Sequence, residues 1–277
     1  MSELGSQGLS LFTLLAASGL FCACSSTTPG PSPERAPLAA ARAAMAPSGT
    51  LRAAINFGNP ILASRDPVSG EPQGVSVDLA RELGSRLGVP VKLILYPAAG
   101  KVVEGIKAGE WDLGFFAIDP VRAAEIDFTP AYVVIEGAYL VPQDSVIRSN
   151  EEVDQEGMRV VVGRGSAYDL YLTRELKKAT IVRAATSPAV TDMMLTDRIE
   201  VAAGVKQQLQ ADAKRLPGLR LLDGRFMVIQ QAMAVPKGRG AVAAAYLSLF
   251  VQEMKATGFV ARALQRHAID GAAVAPP

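Results

Sequence analysis

Reactive side chains are scarce in this chain. It has two cysteines, Cys22 and Cys24, both near the N-terminus, and one histidine, His267. The body of the sequence can therefore form neither a disulfide framework nor a thiol-rich zinc site, and no metal or cofactor is expected. His267 falls in a helix-like stretch near the C-terminus, where a solvated or hydrogen-bonded role is expected rather than one as ligand or base. An excess of one charge is missing too: 28 Lys and Arg against 27 Asp and Glu leave a formal charge of +1 and no long basic run. Nucleic acid, which requires a positive surface, is not an expected partner. The chain is otherwise of ordinary globular composition, with 49% of its 277 residues hydrophobic and 20% charged, enough to bury a substantial core in one or two domains.

The apolar run from Leu9 to Cys24, LSLFTLLAASGLFCAC, falls short of the ~20 residues that span a bilayer and is followed by small residues. Residues 1–24 read as a signal peptide. Its end, Phe21-Cys22-Ala23-Cys24, resembles the bacterial lipobox, which would make Cys24 the lipidated first residue of the mature protein. Phe21 replaces the usual aliphatic residue, and Glu3 rather than Lys or Arg precedes the run, so cleavage of an ordinary signal stays open as the alternative. Either route exports the chain to the periplasm; the first adds a membrane attachment through acyl chains. Residues 25–50 are rich in Pro, Ala, Ser and Thr, lack a core-forming pattern and read as a flexible linker.

From Leu51 the pattern alternates strand and helix. Strands are predicted at Leu51 to Asn56 and Val91 to Leu95, with a helix between them over Val77 to Leu87, where Leu79, Ala80, Leu83 and Leu87 keep helical spacing. Ser76 is its expected cap, and Gly88 with Pro90 its stop. A helix over Lys101 to Lys107, a strand over Leu113 to Ile118, a short helix after Pro120 and a strand over Ala131 to Val141 follow. A second series of the same kind starts at Arg159 and includes a helix from Ala167. After the strand-like Met227 to Val235, two helical stretches, Ala241 to Ala256 and Phe259 to Ile269, have no strand set of their own and are expected to pack on the first lobe. The expected fold is α/β: two doubly wound, largely parallel lobes joined by two crossovers, near Val141 to Ser145 and Gln230 to Pro236. Residues 51–141 and 236–270 would form lobe 1, 142–235 lobe 2, and 271–277 a tail.

The order of the segments resembles the family 3 periplasmic solute-binding proteins, which include the amino-acid-binding components of ABC importers and have the type II periplasmic-binding-protein fold. Gly74-Val75-Ser76-Val77-Asp78-Leu79-Ala80 is similar to the family's G-F-D-V-D-L-A, Gly109-Glu110-Trp111-Asp112 to G-x-x-D, and Asp119-Pro120-Val121-Arg122 to T-P-E-R. Ile126-Asp127-Phe128-Thr129, Tyr132, the segment from Val161 to Ser166 and Ala232-Met233-Ala234-Val235-Pro236-Lys237 continue the match, which runs from about Leu51 to Arg266. The resemblance implies a monomer that captures a small carboxylate between its lobes and delivers it to ABC permease subunits. It makes Arg122 the partner of the ligand's carboxylate, a role for which a guanidinium fork in the first turn of a helix is suited; a surface arginine paired with Glu125 is the bland alternative. Ser166, in the family's G-T-T turn, would bind the other side of that carboxylate, serve as a plain helix cap, or do both.

Several positions depart from the family. Its first pocket aromatic falls at Asn59, with Phe57 nearby, its second near Ala99, and the hydroxyl residue before T-P-E-R is Ala117. The acid that pairs with the ligand's α-amino group falls at Val205, unless Glu200 or Asp197 supplies it. A buried ammonium without a carboxylate is strongly disfavoured, which admits an amine-free organic acid or dicarboxylate beside an amino acid. Arg164 and Lys206 would suit such an anion if they face the cleft, and are otherwise solvated rim residues. Binding without catalysis is the expected function. The alternatives are a lipoprotein sensor, a degenerate clamp, and an enzyme of the cyclohexadienyl dehydratase kind, for which Glu104, Glu136 and Glu200 are the candidate acids.

Overall fold

The structure, a computed structural model, describes residues 35–276; the signal segment and both cysteines lie outside the described residues. The chain runs α1 (Arg35–Met45), β1 (Leu51–Asn56), β2 (Ser64–Arg65), β3 (Pro72–Gln73), α2 (Val75–Leu87), β4 (Val91–Tyr96), α3 (Ala99–Lys107), β5 (Gly114–Ala117) and β6 (Ile126–Pro142). It continues with β7 (Arg159–Gly163), α4 (Ala167–Glu175), β8 (Thr180–Ala184), α5 (Val190–Thr196), β9 (Val201–Val205), α6 (Lys206–Arg215), β10 (Leu219–Leu221) and β11 (Met227–Pro236). α7 (Ala241–Ala256), α8 (Phe259–Arg266) and β12 (Ala273–Val274) complete it.

Apolar spacing on α2 buries Leu79, Ala80, Leu83 and Leu87 in the core of lobe 1, and Gly88 ends the helix in the left-handed conformation at φ 65°. The start of α2 corrects the expectation of a serine cap. Gly74 holds the cap position at φ 121°, where a side chain would also collide with the Leu62 carbonyl. Ser76 sits inside the first turn with its hydroxyl 3.3 Å from that of Tyr132. Asp78 on the same helix faces His267, whose Nε2 lies 2.9 Å from its Oδ2. In lobe 2, Val160 and Val162 face one core cluster and Val161 the other, so this apolar run is covered on both faces.

The sheets are mixed rather than largely parallel. In lobe 1, β4 and β1 pair in parallel, an Ala53–Leu113 bridge leads to β5, and β5 pairs antiparallel with β11. In lobe 2, β8, β7 and β9 are parallel, but β9 is antiparallel to β6. The cause lies in β6 and β11, which belong to both lobes and pair side by side from Met227–Gly137 to Pro236–Ile126. One leaves lobe 1 and the other returns to it, so they must run in opposite directions.

The crossovers therefore sit inside these strands. β6 begins to pair with β9 at Gly137, and Tyr139 and Val141 already pack in the core of lobe 2. β11 takes β5 as a partner from Gln231, with a bulge there, while Ile229, Met233 and Val235 pack in lobe 1. The strands thus change partners at Gly137 and Gln231, a few residues before the expected boundaries at 141/142 and 235/236.

Two terminal segments are more ordered than their composition suggests. Within the expected linker, α1 packs against α7 and buries Ala41, Met45 and Ala46 in the lobe 1 core. Within the expected tail, β12 pairs with β6, and Ala275 donates its N–H to the Tyr132 carbonyl at 3.1 Å. Apolar side chains too sparse to found a core can still complete one. Met45→Ala should cost about 2–4 kcal/mol of unfolding free energy by leaving a cavity, while Leu38→Ala on the exposed side of α1 should cost less than about 0.5 kcal/mol. Equal urea midpoints for the two variants would mean that α1 does not dock in solution.

Candidate functional site

One cleft between the lobes collects the ends of strands from both. Asn56 ends β1, Ala117 ends β5, Val205 ends β9, and Ser166 lies in the turn after β7; all four line it. The carboxyl ends of strands are where open α/β sheets hold ligands. The cavity between the lobes is small, about 40 Å³, room for a few water molecules, so the lobes stand nearly shut on it.

Arg122 lies at the back of this cleft with 3% of its surface exposed. The turn that carries it is a single 3-10 turn, Arg122–Ala124, fixed by Asp119, whose Oδ1 accepts the Val121 N–H at 2.8 Å. The guanidinium donates from Nη1 to the Ala117 carbonyl at 3.0 Å and from Nη2 across the cleft to the Gly165 carbonyl at 2.9 Å. Its Nε is buried without a partner. Among the described residues Arg122 has no ion pair, and Glu125, its suggested surface partner, is exposed. Burial lowers the Arg122 pKa to about 10, against the opposing charge of Asp119, so it remains a cation at neutral pH.

Ser166 caps α4, its hydroxyl accepting the Asp169 N–H at 3.0 Å, and also lines the cleft. Asp169 in turn accepts the Gly165 N–H at 2.8 Å and pairs with Arg183 at 2.9 Å, which fixes the turn. Asn59 lines the cleft with its Oδ1 buried and unpartnered. Ala117, Ala99 and Val205 line it as the sequence placed them, so no side chain at these positions supplies the hydroxyl, ring or acid of the family pattern. Phe57 does not enter; its ring lies under the Arg65 guanidinium at 4.9 Å.

Two expected cations are elsewhere. Arg164 is exposed outside the cleft lining, and Lys206 pairs with Glu136 at 2.9 Å. The turn at Gly165 directs Ser166 inward and leaves Arg164 in solvent, and Glu136, 70 residues before Lys206 in the sequence, holds its ammonium. Sequence reading missed Asn56, Tyr168, Ser187 and Gln231, which also line the cleft. Gln231 had a signal, since a polar residue in the apolar run from Met227 to Val235 needs a reason to be there.

The candidate acids are committed to other contacts. Glu104 pairs with Lys101 at 2.7 Å, Glu136 with Lys206 and with Arg225 at 2.6 Å, and Glu200 with Arg159 at 2.8 Å. The bonds from Lys206 and Arg225 lower the Glu136 pKa, and the bond from Arg159 lowers that of Glu200, opposite to what a general acid requires. Asp197 is exposed, so neither it nor Glu200 lines the cleft in place of Val205.

The lobes are closed on one another. Besides the Arg122–Gly165 bond, Arg174 of α4 pairs with Asp119 at 2.8 Å across the gap. Gly165, at φ 68°, approaches so near that an added Cβ would lie 2.8 Å from the Cα of Gly100.

The sequence from residue 51 to 269 matches the family described as bacterial extracellular solute-binding proteins, family 3, and the chain belongs to that family. No curated protein matches it. Among solved structures it is similar to the solute receptor for L-cysteine of Neisseria gonorrhoeae, with a TM-score of 0.72 and 24% identity over 83% of this chain and 94% of that one. It is also similar to an amino acid ABC transporter substrate-binding protein from Streptococcus pneumoniae bound to L-arginine, with a TM-score of 0.70 and 17% identity over 82% and 97% of the two chains. A histidine kinase sensor domain with similarity to periplasmic binding proteins gives 0.70 and 21% identity over 82% and 98%. The fold is that of the type II periplasmic binding proteins.

The Asp119–Arg174 pair gives a direct test of closure. Arg174→Gln should leave the buried Asp119 carboxylate without its cation, cost the closed form about 1–3 kcal/mol, and raise the radius of gyration measured by small-angle scattering. An unchanged scattering profile would show that the pair does not hold the lobes together.

Proposed function

We propose that the protein is the extracytoplasmic solute-binding component of an ABC importer and that its cleft captures a small solute by a carboxylate held on Arg122. One observation carries this reading: a cation buried at the meeting of two lobes, with no ion pair among the described residues and with a free Nε–H. A charge so placed is strongly unfavourable until an anion reaches it. The free Nε–H of Arg122 and the Ser166 hydroxyl then face the carboxylate from opposite lobes, and closure excludes water and strengthens the pair. Asn59, Ala117 and Val205 shape the rest of the site, while Arg164 stays outside it.

In this reading the solute is an amino acid or an amine-free organic acid, the working form is a monomer, and the closed lobes present themselves to the permease subunits. Cys24 would carry a lipid that keeps the protein at the membrane. The similarity to a kinase sensor domain supports a second reading, in which the same clamp reports a solute instead of delivering it. Solute-dependent uptake by vesicles holding the permease separates the two.

Isothermal titration against amino acids, hydroxy acids, simple carboxylates and dicarboxylates tests the site. At least one carboxylate should bind, and Arg122→Met should weaken it about 100-fold or more, as expected when one partner of a buried charge pair is removed. Affinity should be level from about pH 5.5 to 8.5, falling as the carboxylate protonates near pH 4 and again as Arg122 loses its proton toward pH 10. Binding indifferent to Arg122 would end the proposal.

A further inference from the structure

We infer that the solute is a small monocarboxylate bearing a hydroxyl group, not an α-ammonium or a second carboxylate. This inference rests on the carboxylate clamp at Arg122 and narrows what it holds.

Charge is the first argument. Arg122 is the one ionised side chain among the described residues that line the cleft. One carboxylate neutralises it. An α-amino acid would bring an ammonium as well and leave the closed cleft with a net positive charge, and a dicarboxylate would leave it negative. Nearby carboxylates cannot correct the balance, because each already has a cation: Asp119 has Arg174, Asp169 has Arg183, and Glu136 has Lys206 and Arg225. At the end of β9, Val205 packs its side chain against the core clusters of both lobes and offers the solute only apolar surface.

Unused hydrogen-bonding capacity is the second argument. The Oδ1 of Asn59 is buried in the cleft wall with no donor. Gln231, 6% exposed, brings a second amide to the same space, while the hydroxyls of Ser76 and Ser187, which also line it, are engaged with Tyr132 and Tyr168. These groups are neutral and match a neutral partner. A hydroxyl can donate to an amide oxygen or accept from an amide NH2, whereas an ammonium can only donate. The remaining wall, including Leu62, Phe115 and Ile229, is apolar and suits a short carbon skeleton.

The test is titration calorimetry of the purified full chain with three- to five-carbon acids in matched sets: the 2- and 3-hydroxy acids, the α-amino acid, the unsubstituted acid and the dicarboxylate of each skeleton. At least one hydroxy acid should bind tenfold or more tightly than its amino acid and dicarboxylate counterparts. Asn59→Ala should reduce its advantage over the unsubstituted acid to less than threefold, and Val205→Asp should shift the preference toward the amino acid by tenfold or more. An amino acid or dicarboxylate that binds as tightly as its hydroxy counterpart, and loses affinity in Arg122→Met, overturns this inference and leaves the carboxylate clamp standing. No binding by any set, or binding unaffected by Arg122→Met, overturns both. The comparison of ligands on the unaltered chain decides the matter even if Val205→Asp fails to fold.

Discussion

The guanidinium of Arg122 is withdrawn from water by both lobes at once, and among the described residues no carboxylate forms an ion pair with it, Asp119 acting on it only through its charge. Much of the cleft can be understood from that constraint. Hydrogen bonds to the carbonyls of Ala117 and Gly165 orient the fork but do not neutralise it. The acids that might have done so are turned toward arginines and lysines farther out, so that they shape the turns without entering the cleft. Removing one such cation would release an acid beside the cleft and change its electrostatics as much as replacing a lining residue.

Closure depends equally on backbone. β6 and β11 pass through both lobes as an antiparallel pair, so the lobes share hydrogen-bonded strands and not merely a flexible loop. Bending can concentrate near Gly137 and at the bulge beside Gln231, where the strands change partners. At the opposite side of the cleft, contact between Gly100 and Gly165 is possible because Gly165 has no side chain, whereas a Cβ on Gly100 would find ordinary van der Waals room. The chain thus combines a stiff hinge with a close meeting of bare backbone.

Periodicity made most of the fold legible. β1 and α7 occupy the residues that their patterns marked, and most other predicted helices and strands differ by a few residues at their ends, whereas α6, β10 and the short β2 and β3 were not predicted. Sheet direction was less accessible, since an apolar strand pattern does not reveal whether a strand leaves a lobe or returns to it. The site divided in a similar way. Arg122, Ser166, Asn59, Ala117 and Val205 stand in strand ends and turns whose positions follow from the element order, and they meet in one cleft. Arg164 and Lys206 depended on the direction of a single side chain, which was decided by a turn at Gly165 and by a partner on another strand. Ser76 yielded its expected cap to Gly74 because the backbone there needs a positive φ. α1 showed no core pattern of its own because its buried residues complete a core formed by others.

That docking of α1 determines where the molecule bears mechanical load. α1 is the first described element, and the chain on its N-terminal side joins the body there. A pull along the chain from that side enters lobe 1 through the α1–α7 contact and ends there, without passing through β6 or β11. Lobe 2 is therefore free to swing without working against a load carried by α1. A load on that side is borne by lobe 1 alone, and the strands of the hinge are spared it.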